Sequence, residues 1–242
     1  VVATIGASPA VTLTADQTAC NNSVAQIDVT STLTDYDSYV WTPETDLYTD
    51  AACTTPYTTG ASATTVYLKS TTEGAHQIIC SANNSGSGCA DLDTTIVTVL
   101  PGAPVAAASP ETICGSGSAA ITITPATGWD IATFQWMEST DNATFSDIVG
   151  ANAISYTTPV ITDTMYYKMV VELGAAVCTE SNVVTINVNN PQVVSTTPAT
   201  RCGEGTVTLN ATGNTGTELH WYDVATGGMS LATGTSFTTP VL

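Results

Sequence analysis

Two stretches, Cys89-Ala-Asp-Leu-Asp-Thr-Thr-Ile-Val-Thr-Val99 and Cys178-Thr-Glu-Ser-Asn-Val-Val-Thr-Ile-Asn-Val188, decide how this chain is read. Each runs from a cysteine, through polar and acidic residues, into a β-branched run that ends on valine at the same distance. β-Branched residues suit a pleated, half-buried surface, so both stretches are expected as strands. Upstream of each lies a second shared unit, a cysteine followed by a tryptophan: Cys20 to Trp41, Cys114 to Trp136, and again Cys202 to Trp221. The starting cysteines recur at a period of about ninety residues. A fixed period of this size marks a tandem array.

Between these landmarks the chain offers short alternating runs such as Ala120-Ile-Thr-Ile-Thr124, Thr133-Phe-Gln-Trp-Met137 and Met165-Tyr-Tyr-Lys-Met-Val-Val171. Gly, Pro, Asn and Asp clusters separate them every 8–12 residues or so, the spacing of a β-sandwich. Thr, Gly and Pro interrupt every window long enough for a helix. The expected fold is all-β: tandem immunoglobulin-like β-sandwiches, disulfide-stapled, with the third domain incomplete. The boundaries read as residues 1–6 for a leading strand or the last strand of a preceding unit, 7–101 and 102–190 for two domains, and 191–242 for the N-terminal part of a third. Val1–Ile5 aligns with the strand that ends the second unit, and Ser236–Val241 with Ser155–Val160. Both ends are therefore expected to cut through domains. Completion of the third by a strand from another chain is the alternative.

Composition narrows the function. Twenty-one acidic residues face three basic ones, Lys69, Lys168 and Arg201, for a formal net charge of −18. Such a chain repels phosphate backbones and anionic lipid, which argues against nucleic-acid partners. No stretch approaches the ~20 apolar residues of a membrane span, so no direct membrane insertion is expected.

The segments Leu219-His-Trp-Tyr-Asp-Val-Ala-Thr-Gly-Gly228 and Leu231-Ala-Thr-Gly-Thr-Ser-Phe-Thr-Thr-Pro240 closely resemble the immunoglobulin-like repeats of Bacteroidota surface proteins. Phe134–Trp136, Ser155–Pro159, Thr164–Tyr167 and Ser181–Val184 are similar to related repeats that flank PKD-like modules there. The first unit departs from the pattern, with a longer middle segment and two additional cysteines. The resemblance implies long proteins exported by the type nine secretion route, as adhesins, surface filaments or enzyme stalks. It carries no catalytic residues.

Seven cysteines in such a setting suggest disulfides. The repeat pairs Cys20 with Cys89 and Cys114 with Cys178, and leaves Cys202 for a partner outside the chain. Cys53 and Cys80 occur only in the first unit and are read as partners. Each bridge is worth ~4 kcal/mol in the chain-entropy account. Cys20 and Cys89 could instead lie at opposite poles of their domain, in which case a bridge to the neighbouring unit, Cys20 to Cys178 for example, stays open.

Trp41, Trp136 and Trp221 fall where a sandwich keeps its core tryptophan. Trp129, in a turn, is expected to rest on the linker or mark a contact surface. His76 and His220 belong to no nucleophile motif, so no enzyme is expected. Asp35, Asp37, Asp46, Asp50, Asp91 and Asp93 are candidate Ca²⁺ ligands, without the spacing of a known loop. Thr94 and Thr164 follow short O-glycosylation-like Asp-Thr patterns. Lys69 and Lys168 could form amide cross-links or simply snorkel.

The expected role is a structural repeat region of an extracellular bacterial surface adhesin or filament, a stiff, protease-resistant stalk. Its expected partners are neighbouring repeats and identical chains in a fibre. The alternative is a carbohydrate-binding or adhesive accessory module of a secreted enzyme, displaying Tyr36, Tyr39, Tyr48 and Tyr57 on a flat face.

Overall fold

A computed structural model describes residues 8–242; the expected leading strand at 1–6 lies wholly outside them. The described residues form β-strands and no α-helix.

The first group holds β1 (Gln17–Ala19), β2 (Ala25–Asp28), β3 (Ser38–Thr42), β4 (Leu47–Tyr48), β5 (Thr65–Leu68), β6 (Gly74–Asn83) and β7 (Ala90–Val99). They make a sheet of order β1-β7-β6-β3 and a second of order β2-β5-β4. The strands alternate buried and exposed residues, so each sheet has one apolar face. Ile27, Trp41, Val66, Leu68, Ile78 and Val97, drawn from both sheets, share one core.

The second group holds β8 (Val105–Ser109), β9 (Thr112–Cys114), β10 (Ala120–Thr124), β11 (Thr133–Ser139), β12 (Ser146–Asp147), β13 (Ser155–Thr157), β14 (Met165–Leu173), β15 (Ala176–Glu180) and β16 (Val184–Asn189). One sheet runs β13-β10-β8; the other runs β12-β11-β14-β16-β9, with β15 on the edge of β14. A separate core gathers Ile121, Trp136, Tyr167, Met169 and Ile186. Here and in the first group a short strand runs parallel to the last one, β1 on β7 and β9 on β16.

The third group is smaller: β17 (Val193–Thr197), β18 (Thr208–Gly213), β19 (His220–Trp221), β20 (Ala232–Thr233) and β21 (Ser236–Thr238). β17-β18-β21 repeats the pairing of β8-β10-β13, while β19 pairs with β20. Nothing among the described residues takes the place of β14 or β16 here, and only Ala211 and Leu219 are buried hydrophobics. The architecture is all-β and immunoglobulin-like throughout.

The expected disulfides need correction. The bond formed is Cys20–Cys178, with the two Cα atoms 5.2 Å apart, an ordinary bridging separation. Cys53, Cys80, Cys89, Cys114 and Cys202 are free. The reason is polar geometry. Cys20 follows Ala19, which pairs with Val99 at the end of the β6–β7 hairpin where Gly74 also sits. Cys89 precedes Ala90, which faces Asn83 at the other end. The ten residues of β6 hold those ends roughly 30 Å apart. Cys114 and Cys178 are separated the same way, near Asn189 and near Glu172 respectively. Cys80 is not half of a bridge either. It pairs with Trp41 across β3–β6 as Met169 pairs with Trp136 across β11–β14, and it is fully buried as a small core residue. Burial pushes its thiol up to about 12, with the nearby Asp93 adding to the shift. Cys53 sits in the turn after β4 with φ 52°.

Candidate functional site

The place where the chain does something beyond filling its own sandwiches is the junction between the first and second units. Leu100 and Pro101 leave β7 as buried residues. Leu100 N–H donates to Ala19 O at 2.9 Å, and Asn21 Nδ2 donates to Thr71 O at 3.0 Å beside it. From the second unit the β10–β11 loop comes to meet them. Gly128 has φ +92° and leaves only 3.2 Å between a would-be Cβ and Pro101 Cγ, so the close approach depends on glycine. Asp130, itself at φ 44°, accepts a hydrogen bond from Thr18 Oγ1 at 2.5 Å. Two residues beyond Thr18, Cys20 is bonded to Cys178 in β15. Linker, loop and disulfide therefore act at one spot.

Trp129 belongs to this region but is no contact surface. It is buried at the end of the second core, edge-on to Phe134 at 5.9 Å between centroids, with Nε1 donating to Pro125 O at 2.9 Å. The neighbouring Gly128 rests on the linker.

The second junction is looser. Asn190, Pro191 and Gln192 are exposed, and Asn214 holds them by donating Nδ2–H to Asn190 O at 2.7 Å and accepting Gln192 N–H at 3.0 Å. Cys114, Val188 and Asn189 on one side and Asn214 to Glu218 on the other line an open cavity of about 510 Å³.

Trp41 and Trp136 are core residues, and all three tryptophans are held in one way. The indole N–H donates to a backbone carbonyl downstream, Trp41 to Ala63 at 2.7 Å, Trp136 to Ala153 at 2.9 Å and Trp221 to Gly234 at 2.9 Å. Trp41 and Trp136 are fully buried; Trp221 is half-buried and stacks on Phe237 at 5.8 Å.

The expected tyrosine face does not form. Tyr36, Tyr39 and Tyr57 are buried, because each hydroxyl finds a backbone carbonyl inside: Pro9, Leu33 and Ala61. Tyr57 also accepts Trp41 N–H at 3.0 Å. Only Tyr48 stays half-exposed.

Nor do the acidic residues converge. Among the described residues no three His, Cys, Asp or Glu side chains come together to hold a metal. Most of the six are engaged separately. Asp91 and Asp93 accept the N–H groups of Val11 and Leu13 at 2.8 and 2.9 Å. Asp37 accepts from Ser85, whose hydroxyl and N–H hold its carboxyl below the usual range. Asp50 caps Thr54 and Thr55, and the Thr54 N–H leads the lowering of its carboxyl. Asp35 and Asp46 use their main chains, accepting Asn84 Nδ2–H at 2.9 Å and Lys69 N–H at 3.0 Å.

Thr94 is half-buried in β7, and Thr164 Oγ1 accepts Val188 N–H at 3.2 Å. Lys168 pairs with Glu180 at 2.7 Å and lies 5.0 Å from the Phe145 ring centre. Cross-linking partners of the Asn or Asp type are not what it meets. His76 Nε2 lies 2.8 Å from Thr72 O, and His220 Nδ1 is 3.3 Å from Ser230 Oγ. Asp130 and Gly128 were missed at the sequence level; the Gly-Trp-Asp turn before a strand was the available signal.

Comparison with known proteins follows this division. Residues 103–190 match the family model "Domain of unknown function (DUF8696)", and residues 189–242 match "Ig-like domain CHU_C associated". No curated protein matches. Solved structures that resemble the chain include an ICAM-5 ectodomain fragment (9% identity, TM-score 0.47, 95% of this chain and 68% of that one). Murine CEACAM1b is another (14%, TM-score 0.34, 74% and 100%). A third is the fibronectin(III)-like modules of Clostridium thermocellum CbhA (14%, TM-score 0.31, 74% and 94%). The strand pairing and the repeated indole bond lead to one conclusion: the chain is an array of tandem immunoglobulin-like units, the third of which matches the CHU_C-associated Ig-like family.

Proposed function

We propose that this chain is a structural segment of an extracellular bacterial surface adhesin or filament, a stiff stalk whose consecutive units are fixed at a set angle. The observation that carries the reading is the Cys20–Cys178 bond, which spans two units rather than stapling one. A disulfide inside a sandwich protects that sandwich; one between sandwiches restricts how they swing. The buried Leu100–Pro101 linker and the Thr18–Asp130 bond act in the same sense, since short proline-bearing linkers already restrict bending. Binding then belongs to other parts of the assembly or to lateral contacts between copies. A non-catalytic role fits side chains that are engaged in packing and turns.

Small-angle scattering tests this. The oxidised chain should give a narrow distance distribution, and Cys20→Ser should broaden it while leaving the β-sheet circular dichroism intact. Identical distributions for the two proteins would remove the case for a stiffened junction.

A further inference from the structure

Cys20 and Cys114 occupy one position of the repeat. Ala19 pairs with Val99 across β1–β7 and Ile113 with Val188 across β9–β16; in each case the next residue is the cysteine. Cys89 and Cys178 share a position too, standing at one distance before Val99 and Val188. The bond Cys20–Cys178 therefore joins the first cysteine of one unit to the second cysteine of the unit that follows. Moved along by one repeat, the same rule calls for a bridge from Cys114 to the third unit.

Three features of the third unit agree. Cys114 is an exposed free thiol beside the cavity that faces the β18–β19 loop. Among the described residues β19 pairs with β20 on one edge only, whereas the equivalent strand β11 takes β14 on its other edge. Register then places the end of any such strand. Thr133, three residues before Trp136, pairs with Glu172 next to the Gly174 turn of the β14–β15 hairpin. Glu218, three residues before Trp221, lines the cavity with Cys114. A strand laid on β19 in the β14 register would turn beside Cys114.

We infer that Cys114 is a cross-linking site for a cysteine-bearing β-hairpin of the β14–β15 kind, seated on the free edge of β19 and completing the third sandwich. Formation of the bond releases two protons and two electrons from the paired thiols, and these reduce a disulfide oxidant to two thiols. The inference holds whether or not the array serves as a stalk.

The test is a chain in which a copy of residues 161–190 follows Val241, made in an oxidising compartment and mapped without reduction. The expected result is a peptide joining Cys114 to the added cysteine, alongside Cys20–Cys178. A bridge from the added cysteine to Cys202, or a Cys114 that remains alkylatable, overturns the inference. A second measurement does not depend on that fusion folding. A synthetic 161–190 hairpin, its cysteine activated as a thiopyridyl disulfide, is offered to the unmodified chain, and Cys114 should be captured at least tenfold faster than Cys89 or Cys202. Equal rates, or capture lost to a scrambled hairpin by less than twofold, overturn it as well.

Discussion

Among single residues the tryptophans set the scale. Each indole reaches a carbonyl 22, 17 or 13 residues downstream, so the loops between vary while the bond persists. Trp136→Ala removes a fully buried side chain and should cost about 3–5 kcal/mol, a large share of a domain's stability. Trp221→Ala should cost less, since that ring is half-buried; unit-resolved hydrogen exchange distinguishes the two. A second residue-scale expectation concerns acid. The Thr144 and Ala143 N–H groups and the Ser139 hydroxyl hold the Asp141 carboxyl down at about 2. A carboxyl lowered on folding contributes above its unfolded value of ~3.9 and loses that contribution as pH falls towards 2. The melting temperature of the second unit should drop across that window, and Asp141→Ala should flatten the drop. The core tryptophans were legible in the sequence because their spacing repeats. The buried tyrosines were not, since an aromatic residue reads alike whether its hydroxyl finds water or a carbonyl.

Elements show where spacing runs out as a guide. Strands β7, β10, β11, β14 and β16 follow directly from alternation and β-branching, and the parallel edge strands β1 and β9 do not, being three residues each. Pairing by repeat placed both cysteines of a unit together; the long β6 and β14 strands keep them apart. Sequence distance cannot reveal which pole of a sandwich a loop occupies, so only the alternative of a bridge between units matches the structure. The segment ahead of β1 is another such case. Asp91 and Asp93 on β7 accept the N–H groups of Val11 and Leu13, replacing a ladder with side chains. Asp91→Ala combined with Asp93→Ala should speed exchange at those two amides tenfold or more and cost about 1–3 kcal/mol for the orphaned donors.

For the molecule as a whole, scarcity of basic residues becomes a matter of position. Lys168 lies inside β14 and is paired with Glu180; Lys69 is half-buried at the end of β5. Arg201 is exposed in the strandless stretch between β17 and β18. Trypsin should therefore cut first after Arg201 and leave a long-lived fragment of the first two units; early cleavage at Lys69 would show that the first sandwich opens readily. The bond between those units has one more consequence. Pulled from its two ends, the chain would pass load directly from Cys20 to Cys178, which stand 158 positions apart. About 550 Å of polypeptide contour lies off that path, so until the sulfur shunt is reduced only the edges of the two cores, Val11 to Ala19 in the first and β16 in the second, are left on it.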